Sequence, residues 1–278
     1  MGEKWGPYEV KRANRFILHS DNNNPELRSM ESLMEIVDRV QPVILVIGGL
    51  QMLDNYKFEA GVREERMHKM AEWLKRLPAS IKIHFEMASF GEYEMMKSLI
   101  ENIVPHVDSL GMNEQELPNI DSMIRGDGIV EVADSNPRTA LVLDHLRSLI
   151  HHVDRVSTRG LSRVHVHTLA YQAIWIKRGS AWKNARAGCA QASLVAHRHV
   201  CGVSDIVAEN AKLLMDESFS LTTKSSEKKI NFNEHSPISC WNENGDEICI
   251  APVLVCTKVK QTAGGGDNIT PAGIMPQL

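Results

Sequence analysis

Three short stretches place glycines and carboxylates where phosphate chemistry could occur: Gly264-Gly265-Gly266-Asp267, His84-Phe85-Glu86 and Asn113-Glu114-Gln115-Glu116. The first follows a strand-like run and precedes a helix. Successive glycines there let backbone N–H groups converge, and a helix N-terminus adds positive potential, so the segment suits a phosphate or the charge that develops as one is transferred. An aspartate beside such an anion site is poorly suited to bind phosphate. It is well suited to take the proton of a hydroxyl attacking that phosphate. The plain alternative is a glycine-rich turn with Asp267 as a helix N-cap. Glu86 ends a strand-like segment, and Asn113 to Glu116 opens a helix after another. Both fall at the carboxyl ends of strands, where open α/β sheets bind ligands, and their hard oxygen donors suit Mg²⁺. Taken singly, each is as readily a cap or a solvated carboxylate. Three such features in one α/β chain favour a site. The chain has no G-x-x-x-x-G-K-[ST], H-E-x-x-H or G-x-S-x-G, and Ile269 stands where G-x-G-x-x-G requires its last glycine.

The elements that must position these residues alternate between strand and helix, the pattern of an α/β layered domain with a largely parallel sheet. Residues 42–49 (PVILVIGG) form a continuous apolar run ending in glycines, as a buried parallel strand should. Residues 64–77 predict a surface helix, 81–88 (IKIHFEMA) a strand, 92–103 a helix and 107–112 a short strand. A further helix begins near Asn113, with Glu114 and Glu116 in its first turn, where acidic side chains complement the helix dipole. Residues 137–153 predict a long helix. Residues 163–170 (RVHVHTLA) alternate polar and apolar as a strand does, 173–182 complete a hairpin with it, and 185–199 are helical. The polar stretch 216–244 reads as a loop or surface excursion, and 247–259 as a strand pair or one long strand.

Composition narrows the function classes. The 278 residues are 43% hydrophobic and 24% charged, ordinary for a globular protein. The net charge of -4 gives no electrostatic reason to expect nucleic acid or an anionic membrane as partner. No apolar run approaches the ~20 residues a membrane-spanning helix needs, and residues 1–8 lack a signal-like apolar stretch. Cys189, Cys201, Cys240, Cys249 and Cys256 form no C-x-x-C pair. Their odd number argues against a closed disulfide framework and predicts mostly buried free thiols in a reducing setting. Asn268-Ile269-Thr270 fits the glycosylation sequon but adjoins the glycine run, so it is read as accidental.

In order along nearly the whole chain, the motifs resemble the H-x-E, N-x-x-E and G-x-G-D motifs of the ADP-dependent glucokinases and phosphofructokinases, which have the ribokinase-like fold. Also similar are Asn14-Arg15-Phe16-Ile17, Gly111-Met112-Asn113-Glu114-Gln115-Glu116-Leu117, Arg163-Val164-His165-Val166-His167-Thr168 and Pro252-Val253-Leu254-Val255-Cys256. The Gln115-Glu116-Leu117 context resembles the animal glucokinase branch. The resemblance implies an α/β fold, a partial ribokinase-like (Rossmann-like) sheet flanked by helices. The N-terminal strands and most of the small lid domain would be missing. Residues 1–20 would be a remnant of the lid return and 21–278 the ADP-binding core.

The implied function is ADP-dependent glucokinase: Mg²⁺-dependent phosphoryl transfer from ADP to the 6-hydroxyl of D-glucose, giving AMP and glucose 6-phosphate. The alternatives are an ADP-dependent phosphofructokinase or a truncated non-catalytic nucleotide-binding fragment. The absence of most sugar contacts would leave this chain alone without turnover. Asp267 would be the general base and also face the metal. Glu86 and Glu116 would hold Mg²⁺, Asn113 would meet the nucleotide phosphates, and the N–H groups of Gly265 and Gly266 would stabilise the transferring group. His167 and Thr168 would line the ADP site, with the Val255-Cys256 strand end passing the adenine. Gly265 departs from the family's larger apolar residue and predicts a less preordered loop. The resemblance also suggests the endoplasmic reticulum, with the cytoplasm as the alternative; the sequence leaves the oligomeric state open, and a monomer is the expectation.

Overall fold

The apolar runs become the strands of one seven-stranded sheet, in a computed structural model that describes residues 4–5, 7–9, 22–54, 56–129, 134, 136–225 and 227–278. The strands are β1 (Ile44–Ile47), β2 (Lys82–Glu86), β3 (Ser109–Asn113), β4 (Arg163–His167), β5 (Tyr171–Ile176), β6 (Ser239–Glu243) and β7 (Asp246–Pro252), in the order β6-β7-β5-β4-β3-β2-β1. From β1 to β4 the neighbours are parallel, which requires a crossover between each pair. The helices α2 (Val62–Arg76), α3 (Tyr93–Asn102), α4 (Glu116–Arg125) and α5 (Thr139–Val156) supply those crossovers. From β4 onward the sheet continues antiparallel, with hairpins joining β4 to β5 and β6 to β7 and a long connection placing β7 beside β5. Thus the fold is mixed α/β with a parallel centre, as the alternating pattern predicts.

Both faces of the sheet are covered. Helices α2 to α5, with α1 (Met30–Val40), bury Trp73, Leu74, Leu99, Ile120, Leu146 and Leu149 in one cluster with Phe85, Leu110, Met112, Val164 and Val166. Helices α6 (Ala185–Cys201) and α7 (Gly265–Ile274) close the other face over Ile174, Ile176, Cys249 and Ala251. Sequence reasoning misses α1, whose Glu31, Glu35 and Asp38 dilute the apolar positions; it nevertheless buries Met30 and Val37.

The polar alternation of β4 takes on a different meaning here. Arg163, His165 and His167 lie on the face under α6 and α7, so Arg163 and His165 are fully buried rather than solvent-facing. Two glycines permit that close cover. A Cβ on Gly188 would stand 2.8 Å from the Gly273 carbonyl oxygen, and one on Gly273 would stand 2.9 Å from His165 Cε1.

Two expectations change. The 216–244 excursion is not wholly irregular: Ser218–Ser220 pairs antiparallel with Lys229–Asn231, and the segment ends in β6, an edge strand. Cysteine pairing also differs, because Cys201 is bonded to Cys256 and Cys240 to Cys249, leaving buried Cys189 as the free thiol. An odd count excludes only complete pairing, and spatial neighbours at a sequence separation of 55 leave no local spacing to read. At the N-terminus, Lys4–Trp5 pairs with Tyr8–Glu9. Asn14-Arg15-Phe16-Ile17 and most of the proposed lid remnant, 1–20, lie outside the described residues. No helix among the described residues is long and apolar enough to cross a membrane.

Candidate active site

The carboxyl ends of the parallel strands open onto a cleft of about 700 Å³. Glu86 is the last residue of β2, Asn113 of β3 and His167 of β4, while Gly48 and Gly49 follow β1 directly. Opposite them, the N-terminus of α7 brings Gly264, Gly265, Gly266 and Asp267 to the same cleft, with Thr270 one turn further. Gly264 adopts φ 74°, a left-handed conformation that glycine takes without strain, and this turns the chain into α7. A Cβ on Gly265 would have no atom within 4 Å, so nothing around it requires glycine there. Gly266 is closer set, its Cβ position lying 3.5 Å from His167 Cε1.

Glu86 is the most heavily constrained group. His84 Nε2 (3.1 Å) and Thr270 Oγ1 (2.9 Å) bond its Oε2, and His167 Nε2 (3.0 Å) bonds its Oε1. Burial alone would raise its pKa, but the hydrogen bonds from His167 and His84, with the charge of His167, outweigh that and hold the carboxyl well below its usual range. For His167 burial pushes the other way from Glu86, and Glu86 wins, so the imidazole is raised. Gly111 makes this arrangement possible: a Cβ there would stand 2.9 Å from His84 Cε1 and would collide outright with the Glu86 carboxylate.

Glu116 behaves differently. Asn113 Oδ1 accepts the N–H groups of Gln115 (2.8 Å) and Glu116 (2.9 Å). Glu116 returns to the Asn113 backbone N–H (2.9 Å) and to its Nδ2 (2.8 Å), a reciprocal arrangement of the capping-box kind. The carboxyl is buried, and that desolvation pushes its pKa up to about 7 despite His167 and the Asn113 N–H. So the cleft contains one strongly ionised carboxylate and one poised near neutrality. A divalent cation between such donors would favour both ionised forms, and Glu86 has used three of its roughly four lone-pair positions, leaving one free.

Of the residues singled out from sequence, the fold brings Glu86, Asn113, Glu116, His167, Gly265, Gly266 and Asp267 to this cleft. It does not bring Thr168, Val255 or Cys256 there. Thr168 is buried in the β4–β5 turn, its hydroxyl accepting the Tyr171 N–H (3.0 Å) and donating to the Tyr171 carbonyl (2.9 Å). Val255 and Cys256 pair with Lys212 and Ala211 in a separate two-stranded ribbon, with Cys256 tied to Cys201. Thr270 is the functional group that sequence reasoning passes over, although its position three residues after Asp267 puts it on the same side of α7.

Residues 1–276 match the conserved region of the ADP-specific phosphofructokinase/glucokinase family. The ADP-dependent glucokinase of Bos taurus is 28% identical over 277 residues, covering 98% of this chain and 55% of that protein. The probable ADP-dependent glucokinase of Caenorhabditis elegans is 30% identical over 287 residues, covering 99% and 56%. The chain thus spans about half the length of these curated relatives. Among solved structures, a reconstructed last common ancestor of ADP-dependent phosphofructokinases from Methanosarcinales matches with a TM-score of 0.61 at 20% identity, over 87% of this chain and 52% of that one. A hypothetical ADP-dependent phosphofructokinase from Pyrococcus horikoshii matches with a TM-score of 0.58 at 20% identity, over 88% and 52%. These likenesses establish the shared ribokinase-like fold.

Proposed function

The chain belongs to the ADP-specific phosphofructokinase/glucokinase family, and we propose that it carries the nucleotide and metal side of an ADP-dependent glucokinase. The observation that carries this reading is the meeting of Asp267 and the glycine-led N-terminus of α7 with two carboxylates, Glu86 and Glu116, in one cleft. The sugar hydroxyl attacks the β-phosphorus of ADP while the bond from that phosphorus to the bridging oxygen breaks, releasing AMP. Asp267 accepts the hydroxyl proton, and the Gly265 and Gly266 N–H groups face the charge that develops on the phosphoryl oxygens. Asn113 and His167 contact the nucleotide phosphates from the strand ends. Glu86 and Glu116 would hold Mg²⁺, which neutralises charge on the transferring group when bound. Thr168, Val255 and Cys256 remain proposed for the nucleotide side beyond the cleft. Glucose is favoured over fructose 6-phosphate by the extent of likeness. The glucokinases match 98–99% of the chain, whereas the phosphofructokinase of Thermococcus litoralis is 37% identical over 45% of it.

Calorimetric titration tests the nucleotide assignment. Mg²⁺·ADP should bind more tightly than Mg²⁺·ATP, because a third phosphate would extend into the region where the acceptor hydroxyl must sit. A tenfold preference for ATP, equivalent to ~1.4 kcal/mol, would overturn it. The base is tested separately in the catalytically active protein. Asp267→Asn keeps the side-chain shape but cannot take the proton, so kcat should fall by at least ~10² with ADP affinity held within a few-fold. Near-normal kcat would leave Asp267 as an acidic residue in the first turn of α7, complementing the helix dipole and taking no proton.

A further inference from the structure

The three central strands hold a row of polar side chains that begins far from the cleft and ends on Glu86. In the sheet register His84 lies beside Ser109, and Ser109 beside Arg163. All three are fully buried. Arg163 NH1 lies 3.1 Å from Ser109 Oγ, Ser109 Oγ 2.8 Å from His84 Nδ1, and His84 Nε2 3.1 Å from Glu86 Oε2. At the far end Arg163 Nε donates to Gln277 Oε1 at 2.6 Å, and the guanidinium lies over the Trp182 ring at 5.6 Å. No carboxylate bonds Arg163 among the described residues, and its second terminal nitrogen has no hydrogen-bond partner.

The chemistry of the donors gives this row a direction. A guanidinium can only donate and an ionised carboxylate can only accept, so Ser109 Oγ accepts from Arg163 while His84 Nε2 donates to Glu86. Nδ1 of the neutral ring is then the acceptor, and Ser109 turns its single proton toward it. We infer that Arg163 and Ser109 are positioning residues: through a one-way hydrogen-bond relay they fix the His84 tautomer and hold the Glu86 carboxylate oriented for a divalent cation. The buried guanidinium adds positive potential behind the relay, and Gln277 clamps it from the C-terminal segment. Burial of an arginine without an ionic partner is costly in a domain core. A role directed along the row toward the cleft accounts for it, and partners of this kind typically change metal affinity by about 10–100-fold when removed.

This inference rests on the reading of Glu86 as a cation ligand, and the test separates the two. Long-range imidazole ¹⁵N NMR on the whole chain, with His84 assigned through His84→Gln, should show His84 protonated on Nε2. In Ser109→Ala the signature should shift toward a mixture of tautomers. Mn²⁺ alone, titrated by electron paramagnetic resonance, should bind ~10–100-fold more weakly to Ser109→Ala and to Arg163→Met, with the far-ultraviolet dichroism of each unchanged. An Nδ1–H tautomer in the unaltered chain overturns the relay. So does Mn²⁺ affinity within twofold of the original in both folded variants. If Glu86→Gln leaves Mn²⁺ binding intact while His84 still carries its proton on Nε2, the cation reading fails and the relay's direction stands.

Discussion

Glu116 shows how one carboxyl can serve a helix start and a site at once, and burial is the reason its behaviour depends on pH. In the unfolded chain it ionises in the ordinary carboxylate range, near 4.5, whereas in the fold it keeps its proton up to about 7. Between those values the folded state binds more protons than the unfolded one, so stability falls as pH rises through that window and stays lower above it. The difference amounts to roughly 2–4 kcal/mol at pH 8. Glu116→Gln resembles the protonated acid, so denaturant unfolding at pH 5 should find variant and original nearly equal. At pH 8 the variant should be the more stable. Added Mg²⁺ should recover stability at pH 8 in the original chain and not in the variant. A stability difference independent of pH would refute the burial argument. Glu116, Glu86, Asn113 and Asp267 are legible in the sequence because each stands at a locally marked place, a strand end or a helix start. Thr270 and Ser109 are not, because their partners arrive from elsewhere: Thr270 meets Glu86 across 184 residues, and Ser109 meets His84 across 25.

Elements decide where those residues meet, and α7 decides most. It carries Asp267 and Thr270, and its distance from β4 is set by Gly273, with no side chain between helix and His165. Gly273→Ala would place a methyl 2.9 Å from His165 Cε1 and 3.1 Å from Nδ1. His165 is fully buried and bonded to Gln172 Oε1 at 2.9 Å, so it cannot swing aside freely. The helix should move instead, at a stability cost of ~1–3 kcal/mol typical of overpacking. Because Thr270 bonds Glu86 from the same helix, Mg²⁺-dependent ADP binding should weaken several-fold in parallel. Unfolding midpoints and calorimetry on one sample would check both, and unchanged binding in a destabilised variant would show that α7 adjusts without moving its N-terminus. Strand and helix alternation predicts the sheet because short strand segments are separated by helical ones in the order that parallel crossovers need, although only β1 (ILVI) is a continuous apolar run. It fails at α1, where acidic residues dilute the pattern, and it holds at β4, whose polar residues lie on the face that α6 and α7 cover.

At the scale of the molecule, the segments beyond β4 are joined by two covalent ties that local spacing does not reveal. Cys201 ends α6, and Cys256 sits in the ribbon that leads to the glycine run; their Cα atoms are 5.6 Å apart across 55 residues of sequence. Closing a loop of that length removes chain entropy worth about 4 kcal/mol from the unfolded state. Cys240 and Cys249 face each other directly in the β6–β7 register, joining the two strands at the sheet's edge. Five cysteines with four paired leave one thiol, Cys189, which is buried and pushed up to about 12 by desolvation, so it should resist alkylation until the chain unfolds. Mass spectrometry of protein isolated without reductant should therefore show no modification when native and one alkylated cysteine, Cys189, when denatured. All five should react after reduction. Reduction should also lower the denaturation midpoint, with Cys201→Ser reproducing most of that loss because it opens the longer loop. Five reactive thiols in the denatured, unreduced protein would refute the pairing and return the cysteines to free thiols.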